Sequence, residues 1–143
     1  MAGAPVEALR RVPLFSGVKM RDLARLAKLF HERSIAAGET LVEQGGRRGF
    51  NFFVVDEGVG TVTVDGEERG TVTPGDYFGE IALIDFGERS ATITAQTDMR
   101  CYALASWEFR PFVEANGTVA WQLLERMAAF VRDARNSATN KQA

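Results

Sequence analysis

The sequence contains one cysteine and one histidine among 143 residues. A lone cysteine excludes an intramolecular disulfide. Cys101 lies in the apolar run Met99-Arg100-Cys101-Tyr102-Ala103-Leu104, where a buried, inert thiol is expected. Without a cysteine framework the chain suits a reducing compartment, and a cytoplasmic location is expected. A lone histidine excludes metal enzymes that use two or three imidazole ligands, and it leaves no plausible Ser-His-Asp arrangement. His31 falls in the first helical region, outside the expected strands, and reads as a helix-end residue. No enzymatic activity and no metal are expected. Long apolar runs are also missing, since none approaches the roughly 20 residues that cross a bilayer. The N-terminus, Met1-Ala2-Gly3-Ala4-Pro5-Val6-Glu7, lacks a basic segment followed by an apolar stretch, so no signal peptide is expected. Nor is one sign of charge in excess: 17 Lys and Arg against 19 Asp and Glu give a net charge of −2. With no concentrated basic face, neither nucleic acid nor membrane is an expected partner.

What the chain does have is the composition of a globular domain, 45% hydrophobic and 25% charged. Its length suits a single domain, taken as 1–143. Leu23, Leu26, Ala27 and Phe30 repeat at the spacing of one helical face, and helices are expected over about 1–31. Pro13-Leu14-Phe15 and Gly17 ahead of that face suggest a tight turn that tucks Phe15 inward. From about 33 to 105 the pattern changes to short β-branched and aromatic runs between glycine turns, the signature of an all-β sandwich or barrel. Asn51-Phe52-Phe53-Val54-Val55 reads as a core strand, and Thr61-Val62-Thr63-Val64 alternates as a half-buried strand does. Asp65-Gly66 follows directly and favours a two-residue hairpin turn. Ala91–Ala95 and Arg100–Leu104 read as closing strands. Helical spacing returns over about 107–135, with Ser106 as the expected N-cap and Asn116-Gly117 as an interruption. Ala120, Leu123, Leu124, Met127, Val131 and Ala134 mark one face of the second helix. The Met127–Val131 part of that face is expected to pack on the strands or on a second copy. Trp107 and Trp121 read as core residues by default, with capping of a ligand by stacking as the alternative. Arg126, Arg132 and Arg135 read as a solvated face.

One stretch breaks the strand pattern: Phe78-Gly79-Glu80-Ile81-Ala82-Leu83-Ile84-Asp85-Phe86-Gly87-Glu88-Arg89-Ser90-Ala91-Thr92-Ile93. Gly75 and Gly79 free the backbone before a short apolar turn, and freed N–H groups at such a turn form an anion site. The Arg89 guanidinium fork matches two phosphate oxygens. Glu80 only accepts hydrogen bonds when ionised, so it suits a hydroxyl rather than a phosphate. A ligand carrying a phosphate and a nearby sugar hydroxyl would use all three elements. The competing reading is a surface ion pair between Glu80 and Arg89, of little consequence for stability.

Phe78-Gly79-Glu80-Ile81-Ala82-Leu83 and Arg89-Ser90-Ala91-Thr92-Ile93 resemble the phosphate-binding cassette of the cyclic nucleotide-binding domain family. That family includes protein kinase A regulatory subunits, cyclic-nucleotide-gated channels and the catabolite activator protein group. The resemblance extends to Val12-Pro13-Leu14-Phe15, Ala37-Gly38-Glu39, Glu43-Gln44-Gly45 and Phe53-Val54-Val55-Asp56-Glu57-Gly58, so that about 12–131 are covered. It implies an α+β fold, an eight-stranded β jelly-roll barrel flanked by N-terminal and C-terminal helices, with the cassette at 78–93.

By the same resemblance, Glu80 accepts from the ribose 2′-hydroxyl and Arg89 pairs with the cyclic phosphate. Backbone amides of Gly79, Ile81, Ala82 and Ser90 point at ribose or phosphate, the Ser90 hydroxyl adds a further contact, and Val62 packs near the base. In the family, threonine at the position of Ser90 often accompanies a preference for cGMP, and serine or alanine more often accompanies cAMP, though a serine hydroxyl also suits a guanine amino group. Glu88 stands where kinase and channel members carry proline, and Asp85 adds a second carboxylate to the loop. The implied activity is that of a cyclic nucleotide receptor whose C-terminal helix swings to cover the base. Its output would be a partner protein, a change in self-association, or buffering of the nucleotide. An interaction module that has lost the ligand is the alternative.

Overall fold

The computed structural model describes residues 3–46, 51–79 and 89–142, with side chains to residue 136. Helix α1 (Val6–Arg10), a 3-10 turn (Pro13–Phe15) and α2 (Met20–Ala27) precede eight strands. These are β1 (His31–Ile35), β2 (Thr40–Val42), β3 (Asn51–Glu57), β4 (Gly60–Val64), β5 (Glu67–Val72), β6 (Tyr77–Phe78), β7 (Thr92–Ala95) and β8 (Met99–Ala105). Helices α3 (Ser106–Ala115) and α4 (Gly117–Gln142) follow. All pairings are antiparallel, in two four-stranded sheets of order β1-β8-β3-β6 and β2-β7-β4-β5. The chain passes repeatedly between the sheets, giving a jelly-roll-like sandwich. The expected barrel is not closed: among the described residues no ladder joins one sheet to the other. The chain changes sheet at turns such as Thr73–Asp76, where Thr73 N–H and Oγ1 both donate to the Asp76 carboxylate.

The apolar run in β3 is explained by burial on both faces. Phe52 and Val54 join a cluster with Leu9, Phe15, Leu23, Phe30 and Phe109, beneath the helices. Phe53 and Val55 join Ile35, Phe78, Ile93 and Cys101 between the sheets. Strand period two sends alternate residues to opposite sides, so one strand serves both layers. Burial pushes the Cys101 thiol up to about 12, as expected for an inert core cysteine. Phe15 is 2% exposed, tucked in by the 3-10 turn. The Asp65-Gly66 hairpin forms as the dipeptide predicts, with φ of +53° and +79°, the double left-handed geometry of a type I′ turn. Gln44 clamps it: Nε2 donates to Asp65 Oδ1 at 2.9 Å, and Asp65 N–H donates to Gln44 Oε1 at 2.8 Å. An ionic cluster ties the helical segment to the first sheet. The buried Asp56 carboxylate accepts from Arg11 and, at 2.9 Å, from Arg100 Nε.

Several expectations are corrected. The first helical stretch stops at Ala27, and His31 opens β1 opposite Ala103 rather than ending a helix. Strand β1 is an edge strand with four exposed residues, so no apolar alternation announced it. Ser106 is the first helical residue, not the cap; Ala105 holds that place and no side chain caps it. Trp107 and Trp121 are 76% and 63% exposed and are not core residues. Phe109 fills the inward side of α3, and Val119 and Leu123 that of α4. The α4 face is therefore rotated from the expected one, leaving Leu124 and Val131 exposed.

Candidate functional site

Strand β6 is two residues long and is followed by Gly79, whose φ of +93° lies where side chains are disfavoured. A Cβ there would stand 2.6 Å from the Asn51 carbonyl oxygen and 2.8 Å from Arg89 Nη1. The close approach has a purpose. Arg89 is 5% exposed, and its Nη1 and Nη2 donate to the carbonyls of Gly79 and Asn51, each at 3.1 Å. The guanidinium thus bridges the end of β6 and the start of β3. Its backbone is fixed as well: Arg89 N–H donates to Gly46 O at 3.0 Å, and Gly45 N–H donates to Arg89 O at 2.9 Å. Thr92 Oγ1 accepts from Gln44 N–H at 2.9 Å, extending this grip into β7. A buried cation oriented by carbonyl dipoles is a prepared anion partner, because its orienting cost is met before the ligand arrives.

Arg89 borders a cavity of about 440 Å³, within the range of small-molecule sites. Val62, Val64, Val72, Phe78 and Ile93 give it apolar walls; Gly79, Arg89 and Ser90 give it a polar rim. Arg126 and Phe130 of α4 complete the lining. The Arg126 guanidinium lies 4.4 Å over the Tyr77 ring and 5.2 Å from the Phe130 ring, a cation-π arrangement. Two arginines and apolar walls in one cavity suit an anionic ligand with a flat apolar body.

Of the residues expected in the site, Gly79, Arg89, Ser90 and Val62 meet on this cavity. Glu80, Ile81 and Ala82 lie outside the described residues. Arg126 is corrected from a solvated position to the cavity wall. Sequence reasoning also missed Tyr77 and Phe130. The available signal was the spacing Val119, Leu123, Arg126, Phe130, which continues the inward stripe of α4.

A sandwich of this topology with a buried arginine on a glycine bend defines a small-ligand binding domain, and its family is established by comparison. The family model for the cyclic nucleotide-binding domain matches residues 32–116. The chain belongs to that family, one of regulatory, non-catalytic domains. It is 35% identical over 126 residues to a cAMP-dependent protein kinase regulatory subunit of Mycosarcoma maydis, covering 84% of this chain and 24% of that protein. Among solved structures it matches cAMP-bound PfPKA-R with a TM-score of 0.81 at 26% identity, covering 93% of this chain and 45% of that one. It matches the catabolite activator protein of Thermus thermophilus with a TM-score of 0.76 at 28% identity, covering 88% and 61%. The chain therefore spans about a quarter of the length of the curated kinase subunit. No helix of the described residues is long and apolar enough to cross a membrane.

Proposed function

We propose that the chain is a cytoplasmic cyclic nucleotide receptor, a single binding domain over 1–143, with cAMP as its ligand and cGMP as the related alternative. The observation that carries this reading is the Arg89 guanidinium, 5% exposed and anchored on the Gly79 and Asn51 carbonyls at the rim of an apolar cavity. Arg89 pairs with the cyclic phosphate, and Glu80 accepts from the ribose 2′-hydroxyl. Backbone amides of Gly79, Ile81, Ala82 and Ser90 surround ribose and phosphate, and Val62 packs beneath the base. The cAMP-bound relative supports the choice of ligand.

The mechanism is a population shift. Helix α4 supplies Arg126 and Phe130 to the cavity wall, so a base that fills the cavity favours the position of α4 that covers it. A ligand shifts an equilibrium only through such a difference in affinity between states. The output passes to a protein partner or to self-association through the exposed side of α4. Thermal unfolding in the presence of cAMP tests the reading. Saturating nucleotide raises the melting temperature by several degrees, through mass action on the folded state. An unchanged transition at millimolar cAMP and cGMP would instead point to an interaction module without ligand.

A further inference from the structure

The main chain of Arg89 is held by the turn that follows β2. The β2–β7 ladder is short and shifts register between Thr40 and Val42. Beyond it, Gly46 N–H donates to Glu43 O at 2.9 Å, closing a tight turn in which Gly45 takes a φ of +79°. Gly45 donates to the Arg89 backbone at 2.9 Å, and Gly46 accepts from it at 3.0 Å. Gln44, in the same turn, ties it down on two sides. Its N–H donates to Thr92 Oγ1 at 2.9 Å. Its side-chain amide reaches the β4–β5 hairpin, where Nε2 donates to Asp65 Oδ1 at 2.9 Å and Oε1 accepts from Asp65 N–H at 2.8 Å. Neither Gln44 nor Asp65 is among the described residues that line the cavity.

We propose that Gln44 is a positioning residue for nucleotide binding: its amide, clamped on Asp65, sets the 43–46 turn that fixes the Arg89 backbone. The inference rests on the nucleotide pocket proposed above. The Gly79 and Asn51 carbonyls orient the Arg89 guanidinium, but they do so only while the main chain at residue 89 stays in place. The hairpin is the stiff end of the clamp, with Asp65 and Gly66 both in left-handed backbone at φ of +53° and +79°. A primary amide is the side chain that fits it, because one group supplies the donor for Asp65 Oδ1 and the acceptor for Asp65 N–H. When the clamp is lost, the turn samples other arrangements. The apparent affinity then falls with the fraction of molecules that keep Arg89 in its binding position.

Calorimetric titration of the full chain with cAMP tests this, beside thermal unfolding of the free proteins. The proteins are the wild type, Gln44→Ala, Gln44→Glu, Asp65→Asn and the double variant Gln44→Glu/Asp65→Asn. Gln44→Ala is expected to weaken cAMP by about fivefold or more, the scale of one to two net hydrogen bonds. Gln44→Glu is expected to weaken it at least as much, since a carboxylate cannot donate and would face Asp65. Asp65→Asn is expected to stay within about twofold of the wild type, because asparagine keeps the acceptor and tolerates the left-handed backbone. The double variant reverses the bond: the asparagine amide donates to the glutamate carboxylate, and the backbone N–H at position 65 keeps its acceptor. It is expected to recover affinity to within about threefold of the wild type. Lower melting temperatures for Gln44→Ala and Gln44→Glu with unchanged affinity would mean a purely structural clamp and overturn the proposal. So would wild-type binding by Gln44→Ala beside weakened Gln44→Glu, the mark of charge alone, or a double variant as weak as Gln44→Glu. Those outcomes leave the pocket standing, whereas a wild type that binds no nucleotide removes the pocket and this inference together.

Discussion

Replacing Gly79 with alanine should be disproportionately costly for the addition of one methyl group. At φ of +93° an L-residue carries backbone strain of about 1–3 kcal/mol. The new Cβ also meets the Asn51 carbonyl oxygen at 2.6 Å and Arg89 Nη1 at 2.8 Å. The first obstacle is backbone at the start of β3, the strand buried on both faces, and it cannot move without disturbing both core layers. The second is the Arg89 guanidinium, proposed above to pair with the phosphate. Strain and overpacking together come to about 2–4 kcal/mol, which for a chain of this size lowers the melting temperature by roughly 6–12 °C. Gly66→Ala is the control. Its φ is also positive, at +79°, but nothing lies within 4 Å of its Cβ, so only strain of about 1 kcal/mol applies. Differential scanning calorimetry of the two variants beside the wild type measures the difference. A Gly79→Ala transition no lower than that of Gly66→Ala would refute the claim that Gly79 exists to let Arg89 and Asn51 close around it.

Further outcomes follow from the same geometry. Arg89→Met should cost about 1–3 kcal/mol in urea unfolding, because the Gly79 and Asn51 carbonyls lose their donor; an unchanged midpoint would contradict that structural role. Asp56→Ala should cost about 1–2 kcal/mol, since Arg11 and Arg100 lose a shared buried acceptor while remaining partly solvated; a neutral result would show that the cluster does not anchor the helices. Cys101 should resist thiol reagents at pH 8 until the protein unfolds, because burial holds its thiol near 12; rapid stoichiometric labelling of the native protein would contradict this. The native proton is held more tightly than the unfolded one, so Cys101 contributes stability below about pH 9 that is lost as pH rises toward 12. Trp107 and Trp121 should fluoresce as solvated indoles and be quenched by iodide in the free protein; blue-shifted, protected emission would mean that another surface covers them.

The parts of the fold that could be read from sequence are those where local chemistry and tertiary demand agree. Asp65-Gly66 makes the turn that its backbone preferences favour, and β3 is apolar throughout because both its faces are covered. Strand β1 escaped because an edge strand open to solvent has no reason to alternate, and helical spacing through Phe30 ran up to its start. The tryptophans misled because their size suggests a core, while smaller residues one helical step away fill that role. In the site, Gly79 and Arg89 were legible because a glycine bend and an arginine carry their chemistry in the residue type. Arg126 was hidden by the opposite circumstance. A charged residue on a helix is usually solvated, and only the three-dimensional meeting of α4 with Tyr77 shows it lining a cavity.

The central claim is that Arg89 holds the anionic group of a cyclic nucleotide while bracing the bend that presents it. Isothermal titration of cAMP into the wild type and into Arg89→Lys tests it most directly. Lysine retains the positive charge but cannot span the Asn51 and Gly79 carbonyls while forking onto phosphate. The account predicts a single saturable site in the wild type and a loss of about 100-fold or more in the variant, the scale of a buried charged hydrogen bond. Equal binding by both proteins, or no heat from either, would contradict it.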